Sequence, residues 1–509
     1  MALDVLEIEK FLIHKYNKKF SNSLMITFYN ALAKSKEPFV PIKDGEVRIY
    51  SCGPTVYDFA HIGNFRAYIL NDILRRLFEY GEYRVISVMN ITDVDDKTIK
   101  NAKERYPNKN LKDALISFTR EYEQHFWDDM KALSNLVPHK ITRASDYISQ
   151  MQDLITKIYE RGFAYGTDGS IYFDLGAYLK KYRYGRLLTL DLENFKKGAR
   201  IDKDEYERED VHDFVLWKAK KEGEPFWEYT FAGEEFPGRP GWHIECSVMA
   251  SSALGIPFDI HTGGIDLKFP HHENEIAQDT AGFGVETPVH FWLHNDHLKV
   301  EGRKMSKSLG NFYTLRDIVN KGYSVREFRY VLLSAHYRQE LDFHFASLDA
   351  ARASLKRIDD FMHFLDRSEE EAKKQIGKIG AAGNENTREE CLLRAFLEAL
   401  EDDLNTPSAL AALFTIIKGV HTSKKPFSIQ NAQSLRRAFL AADRILGLGI
   451  EAKQSVSSFD AGTVEALVKK RNDARKQGNF EEADRIRAEI ETQGIELRDS
   501  DQGTLWKER

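Results

Sequence analysis

The chain has 509 residues, 42% hydrophobic and 30% charged, with a formal net charge of −6. That length exceeds what a single hydrophobic core fills, so several folded units are expected, and the balance excludes a mainly disordered or fibrous chain. No apolar run approaches a bilayer-spanning length, three cysteines are too few for a disulfide framework, and the opening residues mix Asp4, Glu7 and Glu9 with Lys10, Lys15 and Lys18, unlike a secretory signal or a transit peptide. The expectation is a cytoplasmic protein that makes no membrane contact.

Residues 47–52 alternate like a strand and run into Gly53-Pro54. From Phe65, apolar Ile69, Leu70, Ile73, Leu74, Leu77 and Phe78 recur at helical spacing until Gly81, and 83–91 read as a second buried strand. This is a βαβ unit, expected to be parallel and right-handed, with ligands at the carboxyl ends of its strands, where Cys52 and the 90–96 segment fall. Residues 111–162 read as mostly helical, and 165–210, rich in Tyr, Gly and charge, as an insertion between two halves of one nucleotide-binding domain. A strand and loop pattern resumes at 258, and a helix is expected over 271–281. After Leu315 nearly everything reads as helix, with polar breaks at 368–387 and 447–460. The last unit holds two helices, 463–476 and 480–493, and an extended tail. Its cluster of Lys469, Lys470, Arg471, Arg475 and Lys476 taken alone reads as a solvated helix face, and the acidic net charge does not point to nucleic acid, although one basic groove on an acidic body stays open.

His61-Ile62-Gly63-Asn64 lies where the first strand leads into the helix, a place whose unpaired N–H groups and helix dipole favour a phosphate. By itself an ordinary loop-to-helix turn is the commoner explanation. Lys304-Met305-Ser306-Lys307-Ser308 places two lysines and intervening hydroxyls so that they can bracket a triphosphate, and its bland alternative is a solvated loop. Together the two elements are far more specific than either. Neither GxGxxG nor GxxxxGK[ST] occurs, which counts against a dehydrogenase or a P-loop enzyme. His271 and Glu275, four apart, share one face of a helix, and with Cys52 and Cys246 would make a four-ligand zinc shell. Without a CxxC spacing, buried small residues and a solvated helix start are the more frequent reading of that pattern.

These segments resemble the class I aminoacyl-tRNA synthetases, whose signatures are HIGH and KMSKS. The second is intact; the first ends in Asn64, which can donate a hydrogen bond but cannot become a cation, so the role of position 64 stays open while His61 and Gly63 keep theirs. CGPTVYD, GRPGWHIECS, FDIHTGGIDLKFPHHENEIAQ and KMSKSLGNF, followed by LLSAHYRQELDF, DDLNTP, ADRIRAEIETQGIELRD and GTLWK, are similar in content and order to the cysteinyl-tRNA synthetase family from about residue 24 to 509.

The resemblance implies an α/β fold: a Rossmann-like parallel sheet in two halves (24–145 and 226–300) around a connective insertion (146–225). A signature loop and stem-contact segment (301–350), an all-α bundle (351–455) and a small anticodon-binding domain (456–509) would follow, with 1–23 as an N-terminal extension. The implied activity is ATP-dependent formation of cysteinyl-adenylate and transfer of cysteine to the 3′ end of tRNA(Cys) by a monomer. Catalysis would fall to His61, Lys304 and Lys307. ATP, with Mg2+, would be held by these and by Gly63, Asn64, Gly263 and Gly264. Thr92, Trp242 and Asp266 would contact L-cysteine, and Cys52, Cys246, His271 and Glu275 would hold one Zn2+ that recognises the thiol, with His272 as the rival of His271. Two other readings are a ligase joining cysteine to a sugar amine, disfavoured by the long family-like chain after Ser308, and a zinc-stabilised tRNA-binding protein, disfavoured by the intact KMSKS.

Overall fold

A five-stranded, all-parallel sheet organises the larger of two units, 1–450 and 451–509. The computed structural model describes residues 25–188, 200–201, 212–306, 309–375, 385–422, 429–450, 461–492, 495–500 and 503–508. The N-terminal extension and Lys307 lie outside the described residues. The strands are β1 (Glu46–Ser51), β2 (Arg84–Ile91), β3 (Lys140–Arg143), β4 (Phe258–Gly264) and β5 (Val289–Asn295), in the spatial order β5-β4-β1-β2-β3. The chain builds outward from β1 to β3, then returns to the other side of β1 as β4. The order therefore reverses between β1 and β4, which opens a crevice at their carboxyl ends.

Both faces of the sheet are covered, so apolar residues occupy both sides of each strand and strict alternation is lost. Val47 and Ile49 of β1, Met89 of β2 and Leu293 of β5 pack into one core with helix α1 (Phe65–Tyr80). Tyr50, Cys52, Val88 and Trp292 point into a second core with α2 (Trp242–Leu254) and α3 (His271–Phe283). Helix α1 buries the stripe read from its spacing, and the Gly81 N–H closes its last turn on Leu77 O at 3.0 Å.

Within 111–162, expected to be mostly helical, β3 is a strand between helices Leu111–Ala132 and Ile148–Glu160. Four residues with only Thr142 buried carry too little periodicity to read; pairing of Met89 with Ile141 makes the strand. The insertion folds around a second, five-stranded sheet: Ala164–Thr167, Ser170–Phe173, Asp213–Ala219 and, beyond residue 225, Gly238–Pro240 pair antiparallel, and Arg200–Ile201 pairs in parallel with Asp213–Ala219. After β5, Leu298–Val300 pairs with both Arg303–Lys304 and Leu341–Phe343. Helices Phe345–Gln375, Glu385–Glu401, Thr406–Thr422 and Ile429–Leu446 then form the expected helical region, their apolar residues joining the first core. Among the described residues no helix is long and apolar enough to cross a membrane.

The unit 451–509 packs helices Ala461–Lys476 and Phe480–Thr492 against a hairpin, Ile495–Ser500 with Gly503–Glu508, around Val468, Ile486, Ile490, Ile495 and Leu497. The tail expected to be extended is the second strand of that hairpin. Of the basic cluster, Lys469, Lys470 and Arg475 are exposed, but Arg471 is buried and donates to Thr504 Oγ1 at 3.2 Å, so it braces helix against hairpin.

One buried cation ties α1 to the helical region. The Arg329 guanidinium, 1% exposed, donates to Asp72 Oδ2 at 2.5 Å, Asn135 Oδ1 at 2.7 Å, Leu133 O at 2.8 Å and Leu446 O at 2.7 Å. Asp72→Ala removes the only carboxylate in direct contact with that charge among the described residues, leaving Asp443 to act through space, and should cost roughly 3–5 kcal/mol, read as a lowered denaturation midpoint of the full chain. A loss of only about 1 kcal/mol, the worth of an exposed pair, would contradict this account.

Candidate active site and metal centre

The two signature segments meet over the crevice. His61 sits just before α1, where the Gly63 N–H donates to its Nδ1 at 3.1 Å. That bond leaves Nε2 as the N–H end of the ring, and burial lowers the His61 pKa against an opposing pull from Asp266, so the ring is neutral at neutral pH. Asn64 Oδ1 accepts from the His61 N–H at 3.0 Å, which leaves the amide NH2 as the donor at position 64. From the other side, the Ile62 N–H donates to Tyr313 O at 2.9 Å and the His61 ring meets Phe312 edge-on at 5.2 Å. A Cβ at Gly63 would lie 2.7 Å from the Met305 methyl, the free end of a flexible side chain, and 3.1 Å from the His61 ring. Asn311 closes the KMSKS turn with both ends of its amide, accepting from the Ser306 N–H at 2.9 Å and donating to Lys304 O at 3.2 Å. Lys304 is exposed beside this junction.

Deeper in the crevice, the ligand atoms of Cys52, Cys246, His271 and Glu275 all lie within 4.8 Å of one another. Cys52 leaves the end of β1, Cys246 lies on α2, and His271 and Glu275 share a face of α3. Cys52 is 9% exposed and the other three 1%. Burial pushes the Cys52 thiol well above its ordinary range, helped by Cys246, Glu275 and Asp266. Burial also lowers His271 to about 3, which keeps its imidazole neutral, as a metal ligand must be. Its Nδ1 is taken by His243 Nδ1 at 2.9 Å, turning Nε2 toward the cluster, 3.1 Å from Glu275 Oε1. That carboxylate oxygen is buried with no hydrogen-bond donor. Two thiols, a neutral imidazole and an unsatisfied carboxylate oxygen at these separations fit a tetrahedral cation such as zinc, whose ligand bonds are about 2.0–2.3 Å.

A second grouping, Cys52, His261, His272 and Glu275, also lies within 4.8 Å. Its histidines contact the shared donors directly, and His272 also reaches His294. His272 Nε2 faces Cys52 Sγ at 3.4 Å and its Nδ1 faces His294 Nε2 at 2.8 Å, while His261 Nε2 meets Glu275 Oε2 at 3.0 Å. His243 holds the His271 ring, His261 holds one Glu275 oxygen and His294 holds His272, contacts of the kind that orient metal ligands. They were not singled out for that role from sequence, and the available signal was only the density of histidines in GWHIEC, FDIHTGG and the segment ending β5.

Trp242 stacks on His271 at 4.2 Å and 29°. Asp266 is exposed on the turn after β4 and acts electrostatically on both His61 and Cys52. Thr92 is buried; its N–H donates to Pro54 O at 3.1 Å and its O accepts from the Val56 N–H at 3.2 Å, so it holds the loop leaving Cys52. Gly263 and Gly264 line the end of β4, where added Cβ atoms would meet His272 Cε1 at 2.6 Å and Asp266 Oδ1 at 2.3 Å. Of the candidate residues, the four metal donors thus gather together, Trp242 packs on one of them, Thr92 holds the loop after Cys52, and Asp266, beside Gly264, acts on both Cys52 and His61; Lys307 is not among the described residues.

Known proteins agree with this layout. The family model of the class I (C) tRNA synthetase catalytic domain matches residues 38–353, a DALR domain matches 395–451, and a cysteinyl-tRNA ligase anticodon binding domain matches 461–506. The chain is 41% identical over 493 residues to the cysteine–tRNA ligase of Brachyspira hyodysenteriae, covering 95% of this chain and 99% of that one. It is 42% identical over 489 residues to the Chlamydia muridarum cysteine–tRNA ligase, covering 93% and 98%. In fold it resembles Mycobacterium tuberculosis methionyl-tRNA synthetase in complex with methionyl-adenylate (TM-score 0.56, 15% identity, 83% of this chain and 94% of that one). The Agrobacterium radiobacter K84 LeuRS in its ternary complex with tRNA and LeuAMS is similar as well (TM-score 0.58, 13% identity, 83% and 86%). A catalytic-domain match over more than half the chain, together with near full-length relatives at this identity, places the chain in the cysteine–tRNA ligase family of class I tRNA synthetases.

Proposed function

We propose that the chain activates cysteine with ATP, forming cysteinyl-adenylate and pyrophosphate, and transfers the cysteine to the 3′ end of tRNA(Cys). The observation that carries this reading is the thiol-rich donor cluster, tied to the HIGN turn by Asp266, which acts on both Cys52 and His61. Cys52, Cys246, His271 and Glu275 would hold one zinc ion. Zinc binds a thiolate strongly and a hydroxyl poorly, which supplies a discrimination between cysteine and serine that pocket shape alone could not. Trp242 would wall the amino-acid side of the cluster, Asp266 would take the substrate ammonium, and Thr92 would hold the loop against which it lies.

Attack of a carboxylate on the α-phosphate needs positioning and charge neutralisation more than an enzymic base. The His61 Nε2–H, the Asn64 amide and the start of α1 would donate to the phosphates. Lys304 and Lys307, with Mg2+, would neutralise the charge that develops toward pyrophosphate, and Gly263 and Gly264 would let backbone approach the adenosine. The stem-contact segment, helical bundle and anticodon-binding domain, divided as the sequence suggests, would receive the tRNA, with the chain acting as a cytoplasmic monomer. The match of an anticodon-binding model to 461–506 weighs against a ligase acting on a sugar amine.

Cysteine-dependent ATP–pyrophosphate exchange, with serine as the control, tests the activity. Exchange with cysteine alone is expected, falling at least ~100-fold in Cys246→Ser, beyond the usual cost of losing a second-shell partner. No exchange by the wild-type chain would sink the reading. Metal content separates the rival histidines: His271→Ala should lose its zinc while His272→Ala retains it, and the opposite result would exchange their roles. Gly63→Ala, which brings a methyl group against the His61 ring and the Met305 methyl, should raise KM for ATP by about tenfold with little change for cysteine, and equal KM values for both proteins would contradict a role for the His61 ring's placement in holding ATP.

A further inference from the structure

Arg66 stands in the first turn of α1, just beyond the HIGN turn, and is only 3% exposed. Its guanidinium is held by backbone carbonyls. Nη1 donates to His297 O at 2.9 Å, and Nη2 donates to His336 O at 2.7 Å, Tyr337 O at 3.3 Å and Gln339 O. The carboxylates that act on it, Asp296 and Glu340, do so only through space, and burial lowers its pKa to about 10. A cation desolvated in this way is costly, and an apolar residue would fill the same space more cheaply. The planar fork of Arg, however, spreads its donors over separate nitrogens and so can grip carbonyls of two segments at fixed angles, where Lys offers three donors on a single nitrogen and Met none.

The gripped carbonyls lie at one end of the sheet that leads to Lys304. His297 immediately precedes Leu298–Val300, and Gln339 shortly precedes Leu341–Phe343. Leu298 pairs with Leu341, and Lys299 of the same strand pairs with Lys304. Two of the carbonyls also fasten the two segments to each other, for the Leu341 N–H donates to His297 O at 3.0 Å and the Asp296 N–H to Tyr337 O at 2.8 Å. One side chain from the HIGN helix thus grips both strands at the point where they enter this small sheet. The Ile62–Tyr313 and Gly63–Met305 contacts hold the segment just after Lys304, whereas Arg66 holds His297 before it and 336–339, which lead into the strand that pairs with Leu298–Val300.

We propose that Arg66 is a positioning residue for adenylate formation, fixing Lys304 relative to His61 and the start of α1 through its four carbonyl bonds. It rests on the ATP-dependent activation proposed above and acts through Lys304 rather than on the substrates. Misplacement of a charge-stabilising group by about 1 Å can slow a reaction by ~100-fold without touching binding elsewhere.

The test uses the full chain as wild type, Arg66→Gln, Arg66→Lys, Lys304→Ala and the Arg66→Gln/Lys304→Ala double variant. It reads cysteine-dependent pyrophosphate exchange, zinc content, melting temperature and transfer of cysteine to tRNA from preformed adenylate. Arg66→Gln should lower kcat for exchange by about 10- to 100-fold, while KM for cysteine, zinc content and transfer stay within roughly twofold. Arg66→Lys should recover part of the loss, and the double variant should be no slower than Lys304→Ala alone, because the two residues act through one interaction. Multiplying losses in the double variant would overturn the proposal. So would zinc content, melting temperature, exchange and transfer all falling together in both Arg66 variants, which would assign Arg66 to general stability. Unchanged exchange in Arg66→Gln beside an active wild type overturns this inference alone; an inactive wild type overturns the functional reading and takes this one with it.

Discussion

Because β1 pairs in parallel with β4, with Ile49, Tyr50 and Ser51 opposite Ile260, His261 and Thr262, the backbone leaves the sheet at Cys52 on the side where β4 turns toward α3. The Cys52 N–H continues the ladder to Thr262 O at 3.2 Å. A strand end therefore delivers one thiol to the foot of a helix that delivers an imidazole and a carboxylate, while α2, packed on the same face, brings the other thiol. Neither helix could assemble this cluster alone. The HIGN turn, which follows β1 and starts α1 in the other core, is linked to the donors through Asp266, which acts electrostatically on both His61 and Cys52.

The polar groups so collected are desolvated, and their protonation follows from that. Burial lowers His272 and His294 well below their ordinary range, as it does His271, and raises Asp279 one turn beyond Glu275 on α3. Neutral imidazoles then link donors to a ring of partners by hydrogen bonds instead of by charge. A core of this kind gains less stability than an apolar one of equal size. The surrounding apolar packing, from Tyr50 and Val88 to Trp292, offsets the difference.

What could be read from the residues divides along physical lines. Elements of the first half, β1, α1 and β2, were legible because each buries a full face and so carries its period in the chain. The HIGN and KMSKS segments were legible as short runs of special composition, and His271 with Glu275 as two donors one helical turn apart. β3 was not, because four residues at a sheet edge take their form from the neighbour they pair with. The outer histidines were not, since His243, His261 and His294 come from three separate elements that only packing unites. Arg471 read as part of a solvated helix face and Arg66 and Arg329 carried no signal of their own, because their burial becomes visible only with the carbonyls, hydroxyl and carboxylate that enclose them. Asn64 kept its motif position but spends its oxygen on its own turn, a use that spacing does not reveal.

The place of β1 at the centre of the sheet also bears on how the chain is made. Its neighbour β2 follows after one helix, but β4 arrives much later: the bond from the Arg48 N–H to Asp259 spans 211 positions. During synthesis the βαβ unit emerges first, and the edge of β1 that will meet β4 stays without its ladder while the insertion is translated. Closing so long a loop costs only slightly more entropy than closing a short one, so the native pairing loses little by the delay. The exposure lies in time: an apolar strand with an open edge can be captured by another chain before its own partner is built. The insertion that separates the two halves therefore lengthens the interval during which the nascent sheet depends on chaperones or on dilution.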